Sequence, residues 1–231
     1  MCDVCRRFAP TSSGSRVVCP APACGSVRTS TPWTAATSAR RAATPPPRSP
    51  LLRVAAARAM STTRRFSMFD LLKFNNVNLD PLTETYNMAF YTQYLAKWPE
   101  YCFNVTAAQG RPMGYILGKA EGLDEEWHGH VTAVTVPPEY RRLGVAAQLM
   151  DMLERGSENA RGYFVDLFVR ESNSLAIGMY EKLGYSIYRQ VIGYYSGEED
   201  AFDMRKALSR DPEGKSCVPL NPLAVYPNEL D

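Results

Sequence analysis

The chain has 231 residues, 45% of them hydrophobic, and a formal net charge of +2, enough for one ordinary domain with appendages or two small ones. No apolar run is long enough for a helical membrane span. The charge is unevenly divided: residues 1–59 carry nine arginines and one acid, net +8, while the remainder has 17 basic and 23 acidic residues, net −6. A mildly acidic body argues against general nucleic-acid binding.

Residues 1–59 are rich in Arg, Pro, Ser and Ala and show neither helical nor strand periodicity, so they read as a disordered, low-complexity leader. An Arg-rich, acid-poor composition also fits an organelle transit peptide, although Pro45 to Pro47 and the lack of an amphipathic helix weigh against it. A third reading is sequence upstream of an internal start at Met60. Cys2, Cys5, Cys19 and Cys24 have spacings reminiscent of a zinc site, but no apolar pattern surrounds them to close a small domain. Cys102 reads as a buried small hydrophobe, and nothing demands disulfides, as in a reducing compartment.

From Ser67 the pattern becomes helical, with Met68, Leu71, Leu72 and Asn75 on one face. A loop from Asn75 to Pro81 leads to a second helix carrying the stripe Met88, Tyr91, Leu95 and Trp98, stopped by Pro99. That stripe reads as core packing with surplus apolar surface for a partner. Strands follow at Tyr101 to Ala107 and Gly114 to Glu121, joined through Gln109-Gly110-Arg111-Pro112, and a third at His130 to Val136. A helix from Gly144 to Leu153, a central strand from Tyr163 to Val169 and a helix from about Leu175 to Leu183 come next. A last antiparallel pair spans Tyr185 to Tyr195 and Ala201 to Ala207. The order α, α, β, β, β, α, β, α, β, β predicts a mixed α/β fold whose central, mostly antiparallel sheet has helices on both faces. The domain is placed at residues 60–208, with 209–231 a flexible, Pro-punctuated tail.

The stretch from His130 to Leu149 aims a strand at a helix start through Arg141, Arg142, Leu143, Gly144, Val145 and Ala146. Exposed N–H groups and the helix dipole there favour an anion, and two arginines at a position that opposes the dipole are best explained by one. A pyrophosphate suits such a site. Alternation along the strand puts His130, Thr132, Val134 and Val136 on one face. His128 and His130 have no third metal ligand at plausible spacing, so no metal is expected.

The motif R-x-x-G-x-A at Arg141, Gly144 and Ala146, followed by Asn173 seven residues before Tyr180, resembles that of the GNAT acetyltransferases. The blocks NNVNLDPLTETYNMAFYTQYLAKWPEY, EEWHGHVTA, VDLFVRESN and DAFDMRKALSRD narrow the resemblance to protein N-terminal acetyltransferases of the NatB catalytic type, covering residues 60 to about 211. The resemblance implies a GNAT fold, transfer of an acetyl group from acetyl-CoA to the α-amine of nascent chains beginning Met-Asp, Met-Glu, Met-Asn or Met-Gln, and a large helical auxiliary subunit that brings the enzyme to the ribosome in the cytoplasm. An internal-lysine or small-amine acetyltransferase and a non-catalytic acetyl-CoA-binding adaptor are the alternatives.

By the same resemblance Tyr180 protonates the departing sulfur and Asn173 orders the cofactor or a water. Val134, Thr135 and Val136 hold the pantetheine arm by strand addition, and the loop of residues 141–146 holds the pyrophosphate. His130 and Thr132 read the second residue of the peptide, an imidazole and a hydroxyl suiting carboxylates and carboxamides. Glu84 and Tyr86 face Tyr194 and Tyr195 across the groove, strand alternation allowing at most one of those two tyrosine rings to point inward. Asn87 is assigned no role.

Overall fold

The computed structural model describes residues 61–79, 83–221 and 223–230; the leader, its cysteines and the Met60 start lie outside them. Eight strands form one sheet in the order β1-β2-β3-β4-β5-β7-β6-β8. They are β1 (Ser61–Arg65), β2 (Phe103–Ala107), β3 (Pro112–Glu121), β4 (His128–Thr135), β5 (Phe164–Arg170), β6 (Ser186–Tyr195), β7 (Glu199–Ala207) and β8 (Ala224–Val225). All neighbours are antiparallel except β4 with β5 and β6 with β8. Among the described residues three α-helices accompany them: α1 (Met88–Lys97), α2 (Val145–Asn159) and α3 (Ser174–Lys182).

Strand β3 sorts the two layers, because successive side chains of a strand face opposite ways. Tyr115 meets the rings of Phe66 and Phe74 on one face, and Phe74 in turn meets Tyr91 of α1. On the other face, a side chain at Gly118 would overlap Leu153 of α2, so glycine permits the close approach of helix to sheet. Val145, Leu149, Met150, Leu153 and Ser157 form the buried stripe of α2.

Helix α1 begins at Asn87, whose side chain accepts from the Phe90 amide at 2.9 Å; the residue given no role is the N-cap. Its core face is Phe90, Tyr91, Tyr94 and Trp98, rotated from the expected stripe so that Met88 is exposed. The rings of Tyr86, Phe90 and Tyr94 stack in turn at 4.0 and 4.5 Å between centroids, and Trp98 meets Tyr94 at a tilt at 5.0 Å, the i, i+4 spacing of one helix face.

Two expectations are corrected and one strand is added. The first helix is a single 3-10 turn, Met68–Leu72, closed by a Ser67–Asp70 capping box; its apolar residues serve two surfaces, with Leu71 buried and Met68, Phe69 and Leu72 exposed. The chain before it, given no element in the sequence reading, is β1, which pairs antiparallel with β2 from Ser61 against Ala107 to Arg65 against Phe103. The tail is docked along β6: Leu220 donates its amide to the Tyr188 carbonyl and Gln190 to that of Leu223, and β8 pairs parallel with β6. Prolines confine such a segment to a sheet edge, where one side of the strand needs no partner.

Candidate active site

Strands β4 and β5 pair only from Gly129 with Val165 to Val131 with Leu167. Beyond them the strands part, and the reason lies in β4. Its register against β3 runs Lys119 with His130 and Gly118 with Val131, then jumps to Leu117 with Ala133, leaving Thr132 as the extra residue of a bulge. A bulge bends its strand and reverses the facing of the residues beyond it. The predicted single face of His130, Thr132, Val134 and Val136 is therefore divided: Val134 pairs with Ile116 and Val136 abuts Gly114 on the α2 side, whereas Thr132 donates to the Tyr94 hydroxyl of α1 at 3.0 Å.

The parting strands open a cavity of about 880 Å³. One wall is Val131 to Val136, the other Leu167 to Arg170, with α3 closing the side and the start of α2 the end. The backbone edge of Thr132 to Val136 that faces β5 lies outside the β4–β5 pairing, as strand addition by an extended amide-bearing ligand requires.

At the α2 end, Gly144 is the N-cap with φ 79°, and Arg142 also lies at positive φ, 63°. The turn leads the chain into the helix, whose first residues line the cavity and whose first amides lack intrahelical partners, as an anion site requires. Gly144, Val145 and Ala146 line the cavity with Arg141 and Arg142. Arg141 Nε donates to the Val136 carbonyl at 3.1 Å, tying the loop to the end of β4. Leu143 is not in the lining; its side chain packs against the core.

Asn173 caps α3, its side-chain oxygen accepting from the Ala176 amide at 3.2 Å, and lines the cavity. With the oxygen engaged, the NH₂ group is what it offers a ligand. Tyr180 lines the same wall at 6% exposure. Burial pushes its phenol well above the ordinary value, so it is a neutral O–H donor at physiological pH.

Below the bulge, His130 is buried and its Nδ1 donates to Asp166 Oδ1 at 2.8 Å. The Phe168 ring lies 5.8 Å away. Burial raises the Asp166 carboxyl, but His130, His128 and Arg205 outweigh it and hold the group well below the usual carboxylate range. Tyr194 stacks on Phe168 at 4.7 Å, while the Tyr195 hydroxyl donates to the Phe168 carbonyl at 3.3 Å. Both tyrosines reach Phe168 because β6 is irregular between Val191 and Tyr195, with Gly193 at φ 63°. Of the two rings, Tyr195 lines the cavity and Tyr194 braces its wall through Phe168.

Glu84 lines the cavity and is paired with Arg170. Arg170 also binds Glu199 at 2.6 Å and sits 4.0 Å over the Tyr195 ring. This bridge joins the loop before α1 to the β6–β7 hairpin across the groove. Tyr86 stacks on Phe90 and is outside the lining.

The third metal-capable ligand thought missing is Glu121, which strand pairing sets opposite His128. Glu121 is already paired with the buried Lys119, and His130 Nδ1 with Asp166. The group is an ion-pair cluster in which the lysine supplies the cation.

A parallel pair that splays at a bulge, with an amide-rich helix start at its end, is matched by the acetyltransferase (GNAT) family profile over residues 70–185. The chain belongs to the GNAT family. Among relatives of this acetyltransferase, N-alpha-acetyltransferase 20 of Dictyostelium discoideum is 62% identical over 173 residues, 74% of this chain and 99% of the relative. The N-terminal acetyltransferase B complex catalytic subunit NAA20 of Arabidopsis thaliana is 63% identical over 174 residues, again 74% and 99%. The crystal structure of Chaetomium thermophilum Naa20 in complex with a bisubstrate analogue has a TM-score of 0.69 at 41% identity, over 72% of this chain and 97% of that one.

Sequence reasoning about this GNAT domain missed Asp166, Phe168, Arg170 and Lys182, the last three of which line the cavity. The signal was present in β5: Phe164, Asp166, Phe168 and Arg170 alternate with Val165, Leu167 and Val169. A carboxylate and a guanidinium at even spacing in an otherwise apolar central strand mark a face that is not packing alone.

Proposed function

We propose that the chain is the catalytic subunit of a NatB-type complex, transferring acetyl from acetyl-CoA to the α-amine of nascent chains that begin Met-Asp, Met-Glu, Met-Asn or Met-Gln. The observation that carries this is the cavity between β4 and β5, which has the anion-binding start of α2 at one end and Glu84, Thr132, Phe168 and Tyr195 toward the other. The names of the relatives and of the structural neighbour support the same reading. The acetyltransferase domain is assigned to residues 60–208 and the site of action to the cytoplasm; no helix among the described residues is long and apolar enough to cross a membrane.

The loop of Arg141 to Ala146 holds the pyrophosphate and the edge of Val134 to Val136 the pantetheine amides. His130 and Thr132 read the second residue, while Glu84, Tyr86, Tyr194 and Tyr195 form and brace the peptide channel. An α-amine has a reference pKa of about 7.7–8.0, so a sizeable neutral fraction needs little help from a base. The amine nitrogen bonds to the thioester carbonyl carbon, the C–S bond breaks, and the amine proton leaves to water. Tyr180 gives its proton to the departing sulfur and regains one from solvent; Asn173 orders the cofactor through its NH₂ group. Met68, Phe69, Leu72 and Met88 are exposed on or beside the α1 layer and provide apolar surface for the helical auxiliary subunit, through which the complex meets the ribosome.

The test is mass spectrometry of a Met-Asp peptide incubated with acetyl-CoA and the full chain assembled with its auxiliary subunit. One acetyl group on the α-amine is expected, and an otherwise identical peptide with a blocked N-terminus stays unmodified. Acetylation of a lysine in the blocked peptide, or acetyl-CoA binding without turnover, refutes the assignment.

A further inference from the structure

Asp166 lies in the middle of β5 at 5% exposure, where a carboxylate brings nothing to packing and costs desolvation. Its Oδ1 is 2.8 Å from His130 Nδ1 and 3.5 Å from His128 Nε2. His128 is fixed from its other side: its Nδ1 is 2.6 Å from the Glu126 carbonyl, which only accepts, and its ring stacks on Phe164 at 4.5 Å.

The surrounding charges can be paired off. Lys119, the cross-strand partner of His130, is taken up by Glu121. On β6 and β7, Arg189 binds Asp203 at 2.9 Å, and Arg205, opposite Asp166, lies 3.7 Å from Asp203 and 3.8 Å from Glu126. Among the described residues Asp203 thus engages both arginines and Glu121 the lysine, and the ion-pair contacts of Asp166 itself are to the two histidines. On the side facing α1, Thr132 donates to the Tyr94 hydroxyl.

With Nδ1–H committed to Asp166, His130 keeps one nitrogen for a ligand. In a neutral ring that Nε2 accepts; in a doubly protonated ring it donates. The four side chains proposed for the second residue share only an oxygen acceptor, so a group that reads them all must donate. We propose that Asp166 is a positioning residue for substrate selection: it orients His130 through Nδ1–H and sets a buried negative charge behind the ring, so that Nε2–H donates to the second-residue oxygen. The inference rests on the NatB-type reading above. Asp166 acts through His130 and touches neither substrate.

The experiment compares kcat/KM for Met-Asp and Met-Asn peptides of otherwise identical sequence, using the full chain with its auxiliary subunit. Asp166→Asn keeps an acceptor oxygen for Nδ1–H and removes the charge. With the charge gone, Nε2 meets the second residue as an acceptor: its lone pair repels a carboxylate but accepts from a carboxamide turned to present NH₂. Loss of a charged hydrogen bond lowers kcat/KM on Met-Asp about 10- to 100-fold, while Met-Asn falls much less and acetyl-CoA affinity holds. Equal losses on the two peptides, or no loss on either, overturn the inference while leaving the proposed function in place. Wild-type complex that acetylates neither peptide overturns both. A second variant guards against misfolding. His130→Gln offers a neutral amide donor that needs no counter-charge, so adding Asp166→Asn to it leaves the Met-Asp to Met-Asn ratio where His130→Gln alone sets it. A further shift in that ratio shows that Asp166 acts other than through His130.

Discussion

Tyr180→Phe tests the chemical step most directly. The substitution removes one oxygen and leaves the ring, which is buried at 6% exposure and meets Tyr185 edge-on at 5.9 Å between centroids, so packing and acetyl-CoA binding are retained. A positioned general acid contributes about 10²- to 10⁴-fold, which at about 1.36 kcal/mol per decade is about 3–5 kcal/mol of transition-state stabilisation. The loss belongs to kcat, because the proton moves only as the C–S bond breaks. Single-turnover acetylation of a Met-Asp peptide isolates that step from binding and product release. A thioester of a more acidic thiol needs less protonation on leaving, so with it the deficit shrinks. Since burial pushes the Tyr180 phenol upward, the wild-type rate rises as the peptide amine deprotonates near pH 8 and shows no fall from Tyr180 ionisation below about pH 10. A phenylalanine variant with kcat within about tenfold of wild type lies below the range of general acid catalysis and refutes the role.

Three further outcomes are expected. Gly144→Val forces a β-branched residue to φ 79°, raising the KM for acetyl-CoA and costing at least about 1–2 kcal/mol of stability; calorimetry with and without acetyl-CoA separates the two. Gly129→Ala drives a methyl group into Ser157 of α2 and lowers stability by about 1–3 kcal/mol, and Ser157→Gly in the same chain restores much of it in urea denaturation. Asp203 is raised to about 6 by burial and by Asp166. Its folded state therefore holds a proton more tightly than the unfolded chain does, so its contribution to stability is full below the ordinary carboxylate value and is lost as pH rises through about 6. Asp203→Asn flattens the pH dependence of melting in that window, and an unchanged profile refutes the shift.

Legibility differed between the two halves of the site for physical reasons. The cofactor half is local: a strand, a turn and a helix start are contiguous, and Gly144 and Ala146 declare where backbone comes close to a ligand. The peptide half draws on β4, β5, the β6–β7 hairpin and the loop before α1, so its pairings, such as Glu84 with Arg170, cross long stretches of chain. Periodicity also assumes regular strands. At Thr132 the strand is irregular, and there the alternation argument assigned Val134 to the wrong face; for Tyr194 and Tyr195 it left open which ring faces inward, and the structure puts Tyr195 in the lining.

What the sequence determined by itself was the order of most elements and the strand, turn and helix start around Gly144, because each rests on neighbours within one helix or turn; Tyr180 and Asn173 became candidates through the family resemblance. Tertiary structure alone decided that β4 and β5 part after Val131, that His130 leans on Asp166, that Glu121 joins the two histidines, and that the tail closes the edge of β6. Those are facts of register, and register is set by which strands the whole core brings together.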